Sequence, residues 1–350
     1  MKAMVLTALD TISVQDLPTP EPQPGEVQVR VFYTGVCGSD VPRVLQGAVH
    51  GYPLTLGHEF SGRVTAVGEG VDAALVGQRV AGIPLIPCGE CEVCEQGWFS
   101  LCGHYSFIGS RRPGSMAEYV CVPVENVLPL SDDVSDLEGA FFEPATVAIH
   151  GIELAAPRPG ARIAVVGGGT IGTLAALALQ SYDPACVVVT RRSASKFASL
   201  ESVGLENLVA TDEEGWVQRA FALAGHDGFD YVFDTAGANA TILQALQLAG
   251  PRTTVCIIGT PKRDVSFTVK QWELINRKEL LIRGSWMSYS NPWPGVEWQK
   301  ARDLFADGTL KITDEMIDGI FPLGQTRAAF DRFKDPHGTN GKVLIDSQEV

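Results

Sequence analysis

The stretch RIAVVGGGTIGTLAALALQ passes from an apolar run through a glycine turn into a series of small and apolar residues. It predicts a strand, a tight turn and a helix. ACVVVT, FDYVFDTAG and TTVCIIG are further strand-like runs that continue the alternating pattern. Strands alternating with helical segments predict an α/β unit, a doubly wound parallel sheet, over about residues 151–284. Residues 1–150 carry short β-type runs broken by glycine and proline, which predicts an irregular β-barrel-like domain that residues 285–350 return to complete. PTPEPQPGE is a loop. A chain of 350 residues exceeds the size at which one core stops growing, so two domains are expected.

Composition narrows the function classes. Hydrophobic residues make up 45% and charged residues 19%, with no apolar run near the roughly 20 residues a membrane span requires. No membrane partner is expected. The start, MKAMVLTALD, lacks the apolar core of a signal peptide, which favours the cytoplasm. A net charge of −14 opposes the phosphate backbone, so a nucleic-acid-binding zinc ribbon is disfavoured.

Four of the eight cysteines, Cys88, Cys91, Cys94 and Cys102, fall in PCGECEVCEQGWFSLC. The spacing C-x2-C-x2-C-x7-C lets four thiolates surround one zinc ion within a lobe of about residues 86–104. A site with all four positions filled has no room for a substrate, which makes it structural. An open site must lie elsewhere. Cys37 in TGVCGSD, His58 and Glu59 in LGHEFSG, and Glu143 in FFEPATV offer a soft ligand, an imidazole and carboxylates beside glycines. Each has a plain alternative: a buried thiol, a core histidine, an acid at a helix start.

Gly167, Gly169 and Gly172 fit G-x-G-x-x-G between strand and helix, the pattern that seats a dinucleotide pyrophosphate. Thr170 and Ile171 lie within it, and Thr235, Gly259 and Ser285 are placed with the same cofactor set. The second strand ends in TRR rather than in an acidic residue. Arg191 and Arg192 either bind a 2′-phosphate, which favours NADP over NAD, or are solvated charges.

GHEFSGRVTAVG, followed by the cysteine lobe, resembles the zinc signature of the medium-chain alcohol and polyol dehydrogenases. The likeness runs over essentially the whole chain. It implies a GroES-like catalytic domain, a Rossmann nucleotide domain, two zinc ions per chain and a homodimer or homotetramer. It also implies catalytic zinc on Cys37, His58 and Glu143, with Glu59 either an alternating ligand or an outer partner. In the family a serine begins a proton relay toward a histidine, which assigns Ser39 and His50; Ser39 as a helix cap is the alternative. FIGSRRPGSMAEY, GSWMSYSNPWPG and CGSDVPRVLQGAVHGYP resemble the branch acting on galactitol 1-phosphate more than the sorbitol or simple-alcohol branches. A polyol or polyol phosphate is the expected substrate, oxidised to a ketose. Arg111 or Arg112 would hold the phosphate or stay a loop arginine, and Trp286, Tyr289 and Trp293 would flank the polyol or pack the core.

Overall fold

The computed structural model describes residues 1–335 and 339–349. The chain divides into two compact units. One comprises Met1–Glu143, Tyr289–Ala306 and Ile317–Val350; the other comprises Pro144–Ser288 and Asp307–Met316. The first division falls inside the helix Phe142–Ala155, whereas the sequence suggested a break after residue 150. Residues 142–146 of that helix are buried on both sides of the junction, so burial does not mark it.

In the first unit a seven-stranded sheet places Glu26–Gly35 at its centre. Lys342–Asp346 lies on one side of it and Glu59–Val67 on the other, both antiparallel to it. Alternation in EVQVRV sends Val27, Val29 and Val31 into a core with Phe60, Val64 and Val80, all buried. A second core gathers Met4, Leu6, Val44, Leu56, Phe330 and Ile345. The register that matters for chemistry pairs Gly35 with Glu59 and Gly35 with Leu344. It sets the turn carrying Cys37 beside the start of the strand that follows His58.

The second unit holds a parallel six-stranded sheet. In spatial order its strands are Leu208–Ala210, Cys186–Arg191, Arg162–Val166, Phe229–Asp234, Ala249–Ile257 and Leu281–Gly284. The strand Arg162–Val166 is central and its residues Ile163–Val166 have no exposure, which explains why its sequence is apolar at successive positions. The edge strand Leu281–Gly284 is exposed at all four residues. No helix of the described residues is long and apolar enough to cross a membrane.

Candidate active site and metal centres

The ligand atoms of Cys37, His58 and Glu59 lie within 4.8 Å of one another, and His58 and Glu59 are buried. Cys37 follows the central strand and Glu59 opens its neighbour, so strand register brings residues distant in sequence together. Behind them sits Asp40, with no solvent exposure. Its Oδ2 accepts the Cys37 N–H at 3.1 Å, its Oδ1 accepts Arg43 Nη1 at 3.0 Å, and His58 Nδ1 stands 3.6 Å from Oδ1. The ring of Phe107 meets His58 edge-on at 5.4 Å.

Glu143 stands outside that trio by the 4.8 Å measure, but it feels the charges of His58, Glu59, Cys37 and Lys342. Burial, partly offset by His58, pushes its carboxyl up to about 8. Burial and then the Glu59 charge push the Cys37 thiol up to about 11. Lys342 pairs with Glu59; burial pulls its ammonium down, but Glu59 and Cys37 outweigh it and hold it above the ordinary lysine value. A Cys37 thiolate with the Glu59 and Glu143 carboxylates carries three negative charges against one on Lys342. The remainder matches a divalent cation, and a thiolate, an imidazole and a carboxylate form a zinc-type donor set. The residues fit the metal.

The second cluster is Cys88, Cys91, Cys94 and Cys102, with sulfur separations of 3.9 Å for 88–94, 3.9 Å for 91–102 and 3.5 Å for 88–102. A tetrahedron of thiolates around zinc has edges of about 3.8 Å for Zn–S bonds of about 2.3 Å. These separations fit that cage and are far too long for disulfides, and all four cysteines are free thiols. Without a cation Cys88 and Cys94 differ in acidity. A backbone hydrogen bond from the Glu90 N–H holds Cys88 down at about 6, and burial pushes Cys94 up to about 12. A bound cation removes that disparity by favouring every thiolate.

In the second unit Gly167 and Gly168 donate to Thr190 O at 3.0 and 2.9 Å, turning the chain at the top of the central strand. Gly169 precedes the helix Thr170–Leu179 and offers no side-chain cap, so the first amide groups, at Thr170, Ile171 and Gly172, are left for an anion. A Cβ on Gly172 would fall 1.8 Å from Gly167 O, so only glycine permits this packing. Thr235 braces the same loop, donating to Gly167 O at 2.7 Å. Gly259 packs against the backbone of Ala236 and Gly237, and Ser285 N donates to Ile257 O at 2.9 Å. Arg191 donates to Lys196 O and Ser199 Oγ at 2.7 and 2.8 Å, whereas Arg192 is exposed.

The remaining expected residues separate. Ser39 Oγ accepts Arg43 Nη1 at 2.9 Å, and among the described residues no hydrogen bond joins Ser39 to His50. The helix Asp40–Leu45 does follow Ser39, but Ser39 makes no side-chain cap hydrogen bond to it. His50 instead lines a cavity of about 490 Å³ with Tyr52, Ser110, Arg111 and Arg112. Arg111 is exposed, lies 4.1 Å over the Tyr105 ring and donates to Tyr105 O at 3.0 Å. Arg112 is paired with Glu26 at 2.7 Å. Tyr289 is 1% exposed and stacked between Trp293 and Trp298, a core position rather than a substrate wall; Trp286 is exposed. Sequence reasoning missed Lys342 and Arg43. Lys342 carries no local signal. The i, i+3 and i, i+4 spacing of Arg43 from Asp40 and Ser39 could have found it.

Residues 23–132 match the family described as alcohol dehydrogenase GroES-like domain, and residues 169–303 match zinc-binding dehydrogenase. The galactitol 1-phosphate 5-dehydrogenase of Escherichia coli (strain K12) is 37% identical over 99% of both chains. The crystal structure of galactitol-1-phosphate dehydrogenase from Escherichia coli superposes with a TM-score of 0.92 at 36% identity, covering 99% of this chain and 100% of that one. An NADP-bound protein from Sinorhizobium meliloti 1021, described as a zinc-binding dehydrogenase, gives a TM-score of 0.87 at 32% identity over 99% and 98%. The cysteine lobe, the Cys37–His58–Glu59 cluster and the glycine turn thus lie in a chain that belongs to the zinc-dependent medium-chain alcohol and polyol dehydrogenases, oxidoreductases acting on CH–OH groups.

Proposed function

We propose that the chain oxidises a secondary hydroxyl of a polyol phosphate of the galactitol 1-phosphate kind to the ketose, with NADP as the preferred acceptor. The observation that carries the substrate reading is the cavity shared by His50, Tyr52 and Arg111. Arg111 is held there by Tyr105, Tyr105 meets Phe107 at 6.3 Å, and Phe107 meets His58. A fixed, exposed guanidinium is suited to a phosphate monoester. Likeness to the Escherichia coli galactitol 1-phosphate enzyme supports the same substrate class.

When bound, zinc supplies the Lewis acidity that lowers the pKa of a hydroxyl, and the nicotinamide accepts the hydride. Cys37, His58 and Glu143 would hold that zinc, with Glu59, whose carboxylate lies nearer to Cys37 and His58, kept in place by Lys342 as an alternating or outer partner; Cys88, Cys91, Cys94 and Cys102 would hold a second. Ser39 receives the hydroxyl proton. Phe107 packs edge-on against His58, which is buried. The amide groups at Thr170, Ile171 and Gly172 bind the pyrophosphate. Arg192 binds the 2′-phosphate, while Arg191 fixes the turn that carries it.

The exposed edge strand Leu281–Gly284, with Leu281 and Ile282 on it and Val269 and Trp272 exposed in the preceding helix, supports a homo-oligomer in which a second copy pairs along that edge. The deciding assay compares kcat/KM for galactitol 1-phosphate and galactitol with each nicotinamide cofactor. Preference for the ester by at least about a hundredfold is expected. Equal efficiency would overturn the phosphate reading and leave a free-polyol dehydrogenase.

A further inference from the structure

One guanidinium nitrogen of Arg43 is bonded to two groups of the active site. Its Nη1 carries two hydrogens. One goes to Ser39 Oγ at 2.9 Å and the other to Asp40 Oδ1 at 3.0 Å. Both acceptors sit one helical turn earlier, which places all three side chains on one face of the helix Asp40–Leu45. Asp40 is fully buried, bonded to the amide of metal-site Cys37 and 3.6 Å from the ring nitrogen of metal-site His58. The Arg43 side chain itself is only 18% exposed.

We infer that Arg43 is a positioning residue that couples the serine receiving the substrate proton to the carboxylate standing behind the metal-site histidine. It rests on the reading of Cys37 and His58 as catalytic zinc ligands.

Two consequences follow from the donor inventory. Ser39 gives one lone pair to Arg43, which leaves its second lone pair for the substrate hydroxyl and turns its own O–H away from the guanidinium. Arginine has no acceptor and stays protonated, so the proton cannot leave through Arg43. With the cofactor bound, oxidation of the alcohol would deliver one hydride to the nicotinamide and one proton to Ser39 Oγ, and the serine's original proton would pass to solvent water, to which Ser39 is exposed. At the other end, Arg43 and the Cys37 amide fix both oxygens of Asp40. That holds the carboxylate against His58 Nδ1 and leaves the other ring nitrogen for the metal. A salt bridge serving only the helix would do neither.

The test uses full-length R43A, R43Q and R43K, with S39A and the double variant S39A/R43A, all loaded with zinc or with cobalt(II). Wild type should carry two metal ions. R43A should lower kcat by about 10- to 100-fold while the KM for the cofactor stays within about twofold. The ligand-field bands of cobalt in the catalytic site should shift, and those of the four-thiolate site should stay. R43K, which keeps the charge, should recover part of the loss and R43Q less. Because Ser39 and Arg43 act as a unit, S39A/R43A should be little worse than S39A. Should R43A not fold, judged by its circular dichroism, R43Q and R43K carry the comparison. Wild-type kcat and cobalt bands in R43A, or losses that multiply in S39A/R43A, would overturn the inference while leaving the zinc site intact. A wild type holding only the four-thiolate metal would overturn the site reading and this inference with it.

Discussion

The ammonium of Lys342 meets the carboxylate of Glu59 across Gly35, on three neighbouring strands of one sheet. Both side chains are buried, and a Cβ on Gly35 would fall 2.2 Å from Glu59 Oε2 and 2.7 Å from Lys342 Cε. The glycine provides the space in which the pair forms. Removing one member of a buried pair leaves an uncompensated charge, so K342M should destabilise the chain by about 3–5 kcal/mol in urea unfolding. The double variant E59Q/K342M should recover part of that. G35A should mimic K342M although every charge is kept.

The four-thiolate cage gives an independent handle on metal content. C94S should lose one of two zinc equivalents by elemental analysis and lower the melting temperature. The equivalent at Cys37 and His58 should remain. Loss of both together would show that the two sites do not load separately.

Cofactor choice should move with Arg192 and not with Arg191. A charge-assisted hydrogen bond contributes about 1.5–3 kcal/mol, so R192A should lower the NADP-to-NAD ratio of kcat/KM by about tenfold or more. R191A, which loses bonds to Lys196 O and Ser199 Oγ, should lower stability and weaken both cofactors alike. An unchanged ratio in R192A would remove the 2′-phosphate role.

G172A should abolish binding of either dinucleotide, measured by fluorescence titration, because its methyl group would displace Gly167 from the turn. Zinc content should not change.

Acid stability should depend on Asp230. Its carboxylate accepts Arg162 Nε and Nη2 at 2.9 and 3.0 Å and the Arg162 N–H at 2.9 Å. The side-chain bonds of Arg162 hold it below the usual carboxylate range. The folded state therefore binds a proton less readily than the unfolded chain. The stabilisation is complete above the unfolded value of about 3.9 and is lost as pH falls through the lower folded value. D230N should be less stable at pH 7 and show a shallower loss between about pH 5 and pH 2.

The sequence is most informative where chemistry and local spacing coincide. The cysteine lobe and the glycine turn are short-range patterns, and each keeps its defining residues within one short stretch of chain. Cys37, His58 and Glu59 were legible as residue types, and the strand register that joins them follows only from the folded sheet. Lys342 was invisible because its role depends on pairing near the end of the chain. Tyr289 looked like a substrate aromatic, but its place was decided by two tryptophans whose packing no spacing rule reports. Arg43 lay within reach of helical geometry, three residues after Asp40 and four after Ser39.

The cysteine lobe also grips a segment far along the chain. Ser100 exchanges hydrogen bonds with Tyr289, its Oγ accepting the Tyr289 N–H at 2.9 Å and donating to Tyr289 O at 3.1 Å. Phe99 meets Trp293 edge-on, and Gly97 abuts Asn291. The lobe closes over a short loop at small entropic cost, whereas the segment near Tyr289 that rests on it lies 189 residues further along the chain. An oxidant or chelator reaching those thiols would therefore loosen the Tyr289–Trp293–Trp298 stack as well, and local damage would become a fault in how the chain's last third is moored.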